Sequence, residues 1–266
     1  MKINRRIVGS IVTIGATGAL LIGATFAFFT DNETSTGNTF TAGTLDLKVD
    51  SECHYFQNGI DGSCGEGASF GNWSETDLED GVHKFFNFDD IKPGDWGEDT
   101  ISLHVIDNDA WGIFEIGSID EDDGLRPYME FWVWLDQGEE AGFQGDDPGE
   151  GDNVYDPVNE PLLISPGEVD LGGETWNLWD GLSAAQVFNG GDNGGVLEDG
   201  RLVGSTTYYF GLAWCFGEAD PDAVALADVC DGSGVSNDAQ DTSLTGDISF
   251  SVVQHRNNPT KEGLGP

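Results

Sequence analysis

Hydrophobic and polar residues alternate in several short stretches of this chain, and such alternation is typical of β-strands with one buried face. The clearest stretch covers residues 44–50, where Leu45, Leu47 and Val49 occupy alternate positions. Further strands are predicted at 101–105, 111–116, 129–135 and 248–254, at the short aromatic stretch 84–88, and at 206–216, the most strand-like segment of the chain. The pattern therefore predicts a fold built mainly from short β-strands.

Turn-forming residues separate the predicted strands and indicate the fold class. Residues 91–95 (Ile-Lys-Pro-Gly-Asp) combine a proline that fixes φ with a glycine that permits positive φ. Short strands between turns predict an all-β fold, a two-sheet antiparallel jelly-roll-like sandwich. We expect one or two short helices in it, at 175–188 and, with Asp220 as N-cap, at 220–229. The acidic, Gly-rich residues 138–153 predict a long solvated loop.

The N-terminus has the features of a cleavable apolar helix that serves as a signal peptide. Lys2, Arg5 and Arg6 precede an uncharged stretch rich in Ile, Ala, Gly and Leu, as in secretory signals. The small residue Ala27 places the predicted cut between Ala27 and Phe28. The stretch is also long enough to span a bilayer, so an uncleaved anchor is the alternative, although its glycines and threonines argue against permanent anchoring.

The chain is strongly acidic, with 49 Asp and Glu residues against 10 Lys and Arg and a net charge of −39. Removal of the signal peptide would leave seven basic residues and a net charge of −42. Charge repulsion on this scale destabilises a compact state, and concentrated salt relieves it, so we expect a halophilic, haloarchaeal protein. Nucleic acids and anionic membrane surfaces are excluded as partners. The 16 Phe, eight Trp and five Tyr residues distinguish the chain from disordered acidic sequences.

All four cysteines, Cys53, Cys64, Cys215 and Cys230, follow the predicted signal peptide. An even number in an exported chain favours disulfides. Of the three possible pairings we favour the two local bonds, Cys53–Cys64 and Cys215–Cys230, each of which closes a loop rich in Gly and Asp. A zinc site is the weaker alternative, because the spacings lack short C-x-x-C units.

Three short sequences resemble, in order and in spacing from the signal, elements of the TasA/camelysin family. They are residues 39–47 (TFTAGTLDL), residues 91–95 (IKPGD) before a strand, and residues 253–258 (VQHRNN) at the end of the last strand. Residues 117–200 contain no such element. The resemblance implies a jelly-roll subunit exported to the cell surface, where family members build biofilm-matrix fibres or bundling pili. The acidity and the cysteines depart from the bacterial members.

The resemblance also implies a way of assembling. The N-terminal segment of one subunit, here residues 28–43, would be added as a strand to the next subunit, with Phe28, Phe29 and Phe40 as apolar anchors. Such a head-to-tail contact is heterologous and grows an open filament. The alternative is that residues 28–43 are a disordered tail, as termini often are.

These arguments divide the chain into four parts: a signal peptide (1–27), an N-terminal donor-strand segment (28–43), a jelly-roll domain (44–258) and a C-terminal tail (259–266). The expected partners are further copies of the same chain, in a head-to-tail homopolymer, and a signal peptidase during export. No membrane contact is expected after cleavage, and the expected location is extracellular or at the cell surface.

An enzyme is the main rival class, because camelysin-like proteins have been described as metallopeptidases. A zinc peptidase typically has the helical motif H-E-x-x-H, whereas His54, His83, His104 and His255 are far apart in this sequence. His104 alternates with apolar residues, which predicts a solvent-facing strand residue. The sequence predicts no G-x-S-x-G nucleophile elbow, which requires a strand-to-helix turn, and no phosphate loop. We therefore predict no catalytic residues and no cofactor.

Calcium and glycans are two further possibilities. Residues 120–124 and 146–152 are dense in Asp and Glu, but neither fits the EF-hand loop, so solvated acidic loops are favoured and calcium stays open. Asn32 and Asn72 each begin an N-x-S/T sequon. A glycan on Asn32 would crowd the donor strand, which favours Asn72.

The sequence is compatible with two other functions. One is a monomeric surface module that binds carbohydrate through exposed indoles of Trp132, Trp134, Trp176 or Trp179, although the alternation in 129–135 allows both faces of that strand to be covered. The other is a type IV-like pilin, which would retain its apolar N-terminal helix but lacks the basic-Gly cleavage site of such pilins.

Overall fold

The computed structural model describes residues 30–35 (backbone only), 45–57, 59–64, 70–121, 124–138, 143, 149–168, 173–188 and 199–258. Within these residues there are thirteen β-strands and one α-helix. The strands are β1 (Thr30–Ser35), β2 (Asp46–Gln57), β3 (Ile60–Ser63), β4 (Trp73–Thr76), β5 (Trp96–Ile106), β6 (Ala110–Glu121), β7 (Met129–Leu135), β8 (Leu162–Gly167), β9 (Glu174–Asn177), β10 (Thr206–Phe216), β11 (Glu218–Ala219), β12 (Cys230–Asp231) and β13 (Leu244–Gln254), and the helix is α1 (Leu178–Phe188).

The strands form two main antiparallel sheets. The small sheet has the order β1-β13-β6-β9, and the large sheet has the order β3-β2-β5-β10-β7-β8 with β4 also on β2. Strands β11 and β12 form a separate two-stranded ribbon. The predicted all-β antiparallel fold with a short helix is therefore confirmed.

The core lies between the two sheets and follows the alternation in the sequence. The inward residues of the long strands are almost completely buried; they include Leu47, Val49, Ile101, Leu103, Val105, Phe114, Phe210, Leu212, Phe250 and Val252. Each buried aliphatic or aromatic side chain of this kind contributes about 1.5–3 kcal/mol relative to an exposed one.

The outer face of the large sheet is also covered. Trp132 and Trp134 point away from the core, yet only 2% and 0% of their surfaces are exposed, because segments after β7 and β10 pack over them. The indole of Trp134 lies against the backbone of Gly211 on β10, where any Cβ would overlap the ring. The covering predicted for this strand is thus confirmed.

Two predicted elements are wrong. Residues 84–88 form no strand; Phe85 is buried and Phe88 packs on Trp214 from an extended loop. Residues 220–229 form no α-helix and contain only a short 3-10 turn, Leu226–Asp228. The reason is that β11 and β12 pair across this segment, with the Asp220 N–H donating to the Val229 carbonyl at 2.8 Å.

The predicted turn at 91–95 is confirmed. The Asp95 N–H donates to the Lys92 carbonyl at 2.8 Å, and Gly94 has a φ of +91°. The Asp95 carboxylate in turn accepts a hydrogen bond from the Lys92 N–H at 2.8 Å. In the part of the chain that the structure describes, no helix has the length and apolar character needed to cross a membrane. The predicted apolar N-terminal helix and the tail 259–266 lie outside the described residues.

Candidate assembly site

The N-terminal arm of the chain forms the edge strand of the small sheet. Strand β1 runs antiparallel to β13 over six residues, with Thr30 opposite Val253 and Ser35 opposite Ile248. The other side of β13 pairs with β6. Without β1, the backbone N–H and C=O groups along one side of β13 would have no ladder partner.

Strand β13 is itself a core strand. Phe250 and Val252 are buried, and the Phe250 ring lies 5.2 Å from the Phe114 ring and 6.3 Å from the Phe85 ring. An unpaired strand of this kind, long and apolar on one face, readily pairs with another chain. The edge that β1 covers is therefore a natural strand acceptor.

The arm continues into a different sheet. Strand β1 belongs to the small sheet, whereas β2, the next strand in the chain, belongs to the large sheet. Residues 36–44 connect them and lie outside the described residues, as do the predicted anchors Phe28, Phe29 and Phe40 and the predicted cleavage site between Ala27 and Phe28. Asn32 pairs with Ser251 through its backbone. That Asn32 is the less favoured glycan site stays a prediction.

The opposite side of the sandwich has a groove between the edge strands β8 and β9. A cavity of about 230 Å³ opens there, and its apolar lining includes Phe114, Val133, Leu163, Ile164, Trp176 and Leu178. Strand β8 is irregular, with register shifts against β7 at Phe131, Val133 and Trp134.

The four tryptophans proposed for carbohydrate binding are less exposed than that function requires. Trp132 and Trp134 are buried, so their part in an exposed binding surface is wrong. Trp176 is half-buried and stacks on Phe114, with ring centroids 5.4 Å apart. Trp179 is half-buried against Trp111, 6.0 Å away. Trp176 lines the groove.

Both predicted disulfides are present. Cys53 bonds to Cys64 and Cys215 to Cys230, with Cα atoms 5.3 Å and 5.5 Å apart. The first bond joins β2 to the residue after β3, and the second joins β10 to β12. For loops of these lengths each bond stabilises the fold by about 3 kcal/mol.

Asn72, the favoured glycan site, takes part in the first disulfide loop. Its Oδ1 accepts a hydrogen bond from the Cys53 N–H at 2.9 Å, and its Nδ2 donates to the Cys64 carbonyl. Glycosylation of Asn72 stays a prediction.

The histidines remain apart in the fold, as their spacing in the sequence predicts. His104 lies on the outer face of β5, with Nε2 2.8 Å from Asp50 Oδ2, and His54 lies 2.8 Å from Asp61. Burial lowers the pKa of His83. No group of three or more His, Cys, Asp or Glu side chains among the described residues could hold a metal ion. Residues 122–123 and 144–148 are not described, so calcium in those loops stays a prediction.

Sequence reasoning missed a set of buried acids. Glu98, Asp99, Asp136 and Glu160 are each less than a tenth exposed. Asp99 faces the core beside the first disulfide, its Oδ1 contacts the Ser51 hydroxyl, and its Oδ2 has no hydrogen-bond partner. Burial raises its pKa well above the usual range. The signal was present, since Asp99 has the same strand parity as Ile101 and Leu103.

The comparisons with known proteins concern the same end of the chain as the arm. The family model described as camelysin metallo-endopeptidase matches residues 2–56. The match covers the predicted signal peptide, β1 and nearly all of β2, and it supports the predicted resemblance to the camelysin and TasA family. No curated protein and no solved structure gives a significant match.

Proposed function

We propose that this chain is an exported structural subunit of a cell-surface filament or biofilm matrix, and that copies join by strand exchange of the N-terminal arm. The observation that carries the proposal is the pairing of β1 along β13. The family match supports export and a matrix-type role, because it covers the signal and the arm. TasA-like members of this family are generally structural.

Exchange of the arm costs little in contacts. The six residue pairs that join β1 to β13 within one chain form in the same register when β1 comes from a neighbouring copy. Each copy then gives one arm and receives one, at two different surfaces, and such a heterologous contact does not close on itself. The product is an open filament in which every β13 edge is paired.

Charge makes this assembly dependent on salt. Strand β1 contains Asp31 and Glu33, and it must approach a second chain with a net charge of −39 or more. The screening length is about 10 Å at 0.1 M salt and about 3 Å at 1 M. Copies should therefore join at molar ionic strength and separate in dilute buffer.

A paired-cysteine variant tests the proposal. Thr34 and Ser249 are opposite each other in the β1–β13 register, so Thr34→Cys with Ser249→Cys should cross-link the ladder. At molar salt we expect a ladder of covalent multimers on non-reducing gels, and Thr34→Cys alone should give none beyond a dimer. Deletion of residues 28–38 should leave a folded monomer that no longer polymerises. A cross-link confined to single chains, or fibres from the deleted protein, would refute strand exchange.

A further inference from the structure

Two buried carboxyl groups, one at each end of the connection from β7 to β8, accept hydrogen bonds from its backbone. Asp136 directly follows β7, and Glu160 lies two residues before β8. The described segment 149–161, named here the clasp segment, packs over the outer face of the large sheet. Asp136 is 0% exposed and Glu160 is 2% exposed.

The two carboxyl groups bind backbone N–H groups of this connection. Asp136 accepts hydrogen bonds from the N–H groups of Gly151 (2.8 Å) and Asn153 (3.2 Å), and from the Thr100 hydroxyl (2.8 Å). Glu160 accepts from the N–H groups of Gly138 (3.2 Å) and Asp156 (2.8 Å). Asp136, at the start of the connection, thus binds residues in its second half, and Glu160, at the end, binds Gly138 near the start.

The clasp segment holds aromatic side chains in place. Tyr155 lies on Trp134, with ring centroids 5.5 Å apart, and Gly151 lies against the ring of Tyr209. These contacts cover the outer face of β7 and β10, so release of the segment would expose part of that face.

The groups around the two carboxyls are acidic or neutral. Among the described residues, Glu98 on β5, Asp152 and Tyr155 on the clasp segment and Tyr209 on β10 interact electrostatically with these carboxyls. His54 on β2 lies 3.8 Å from Glu98. In the described part of the chain, no Lys or Arg forms an ion pair with Asp136 or Glu160. Two ionised carboxylates at this site would therefore repel each other without a compensating cation.

We infer that the clasp segment is a pH-sensitive cover, closed while the Asp136 and Glu160 pair retains a proton and released when both carboxyls ionise. Burial and the charge of Asp136 raise the pKa of Glu160 to about 9, and burial raises the pKa of Asp136 to about 6. Because both are raised on closing, closure is most stable in acid. Its stability falls as the pH rises through about 6 and then about 9.

Hydrogen exchange of the intact protein in molar salt tests this inference. The opening constant is obtained at the Asp156 and Gly138 amides after division by the intrinsic exchange rate at each pH. One proton lost on opening makes this constant rise about tenfold per pH unit between pH 6 and pH 9. The Phe210 amide in the centre of β10 reports global unfolding, which releases the same protons. Its opening constant should therefore stay well below those of the Asp156 and Gly138 amides at every pH, and equal constants would mean that the segment opens only when the whole fold does.

Glu160→Gln is the decisive variant, because glutamine has nearly the size of glutamic acid but has no titratable proton. Its opening constant should be flat from pH 6 to pH 9, whereas Glu218→Gln, which removes an exposed carboxylate on β11, should follow the wild type. A pH-independent opening constant in the wild type would overturn the inference even if the variant did not fold. A slope retained in Glu160→Gln would overturn it as well.

Discussion

Asp99 gives a prediction whose size follows from its surroundings. The side chain is fully buried, and its Oδ1 contacts the hydroxyl of Ser51. That hydroxyl also donates to the Gly71 carbonyl at 3.1 Å. A hydroxyl has one proton to donate, so Asp99 completes this arrangement best as a neutral acid that donates to Ser51.

Replacement of Asp99 by Asn tests this assignment. The folded-state pKa is raised above that of the unfolded chain, which is about 3.9, so Asp99 takes up a proton on folding. Its favourable contribution is complete below pH 4 and is lost as the pH rises towards the folded-state pKa. Asp99→Asn removes this dependence, and its stability relative to the wild type should rise by about 1.4 kcal/mol per pH unit in that window.

The assay is urea unfolding followed by tryptophan fluorescence, in 2 M KCl, at pH 5, 6, 7 and 8. Extrapolated to below pH 4, where the acid is neutral in both states, the two proteins should differ by no more than about 1 kcal/mol, because an Asn amide can make the same donor contact as the neutral acid. Asp80→Asn, an exposed change, serves as the control and should run parallel to the wild type. Parallel curves for Asp99→Asn and the wild type would show that Asp99 is ionised in the fold and would refute the reasoning.

Three further predictions concern stability. Replacing Cys215 and Cys230 by Ala should lower the free energy of unfolding by about 3 kcal/mol, and an unchanged melting temperature would contradict the role given to this bond. Trp134→Ala should cost about 3–5 kcal/mol in urea unfolding, against less than about 0.5 kcal/mol for the exposed Val224→Ala; equal effects would mean that the outer face is not packed. The melting temperature should rise steadily from 0.1 M to 2 M KCl as charges are screened, and a protein equally stable at both would not be halophilic.

The strands that the sequence predicts best are those richest in aromatic and aliphatic residues or in clear alternation. The predicted bounds of β7 and β10 agree with the structure, and the core faces of β5 and β13 carry the expected residues. In β5 and β13 the residues of one parity meet the core, whereas β7 and β10 are covered on both faces and are marked by aromatic and aliphatic residues throughout. Both disulfide pairings follow from short loops and were also predictable.

The failures arise where distant contacts decide the local structure. Residues 220–229 carry good helix-starting signals, but pairing of β11 with β12 beside the Cys215–Cys230 bond imposes another conformation. Strands β1 and β8 lack alternation, because β1 is polar and β8 is bulged. Asp136 and Glu160 come near each other where the Leu135 N–H donates to the Pro161 carbonyl, a pairing that no spacing in the sequence indicates.

The most direct test of strand exchange uses two single-cysteine chains. Thr34→Cys and Ser249→Cys proteins, each with its native disulfides formed, are mixed at molar salt and oxidised. A cross-link between positions 34 and 249 must then join two different copies, and mass spectrometry identifies it. We predict abundant 34–249 cross-links in the polymer. Polymer that forms without any such cross-link would show that β1 stays on its own β13 and would contradict the proposed assembly.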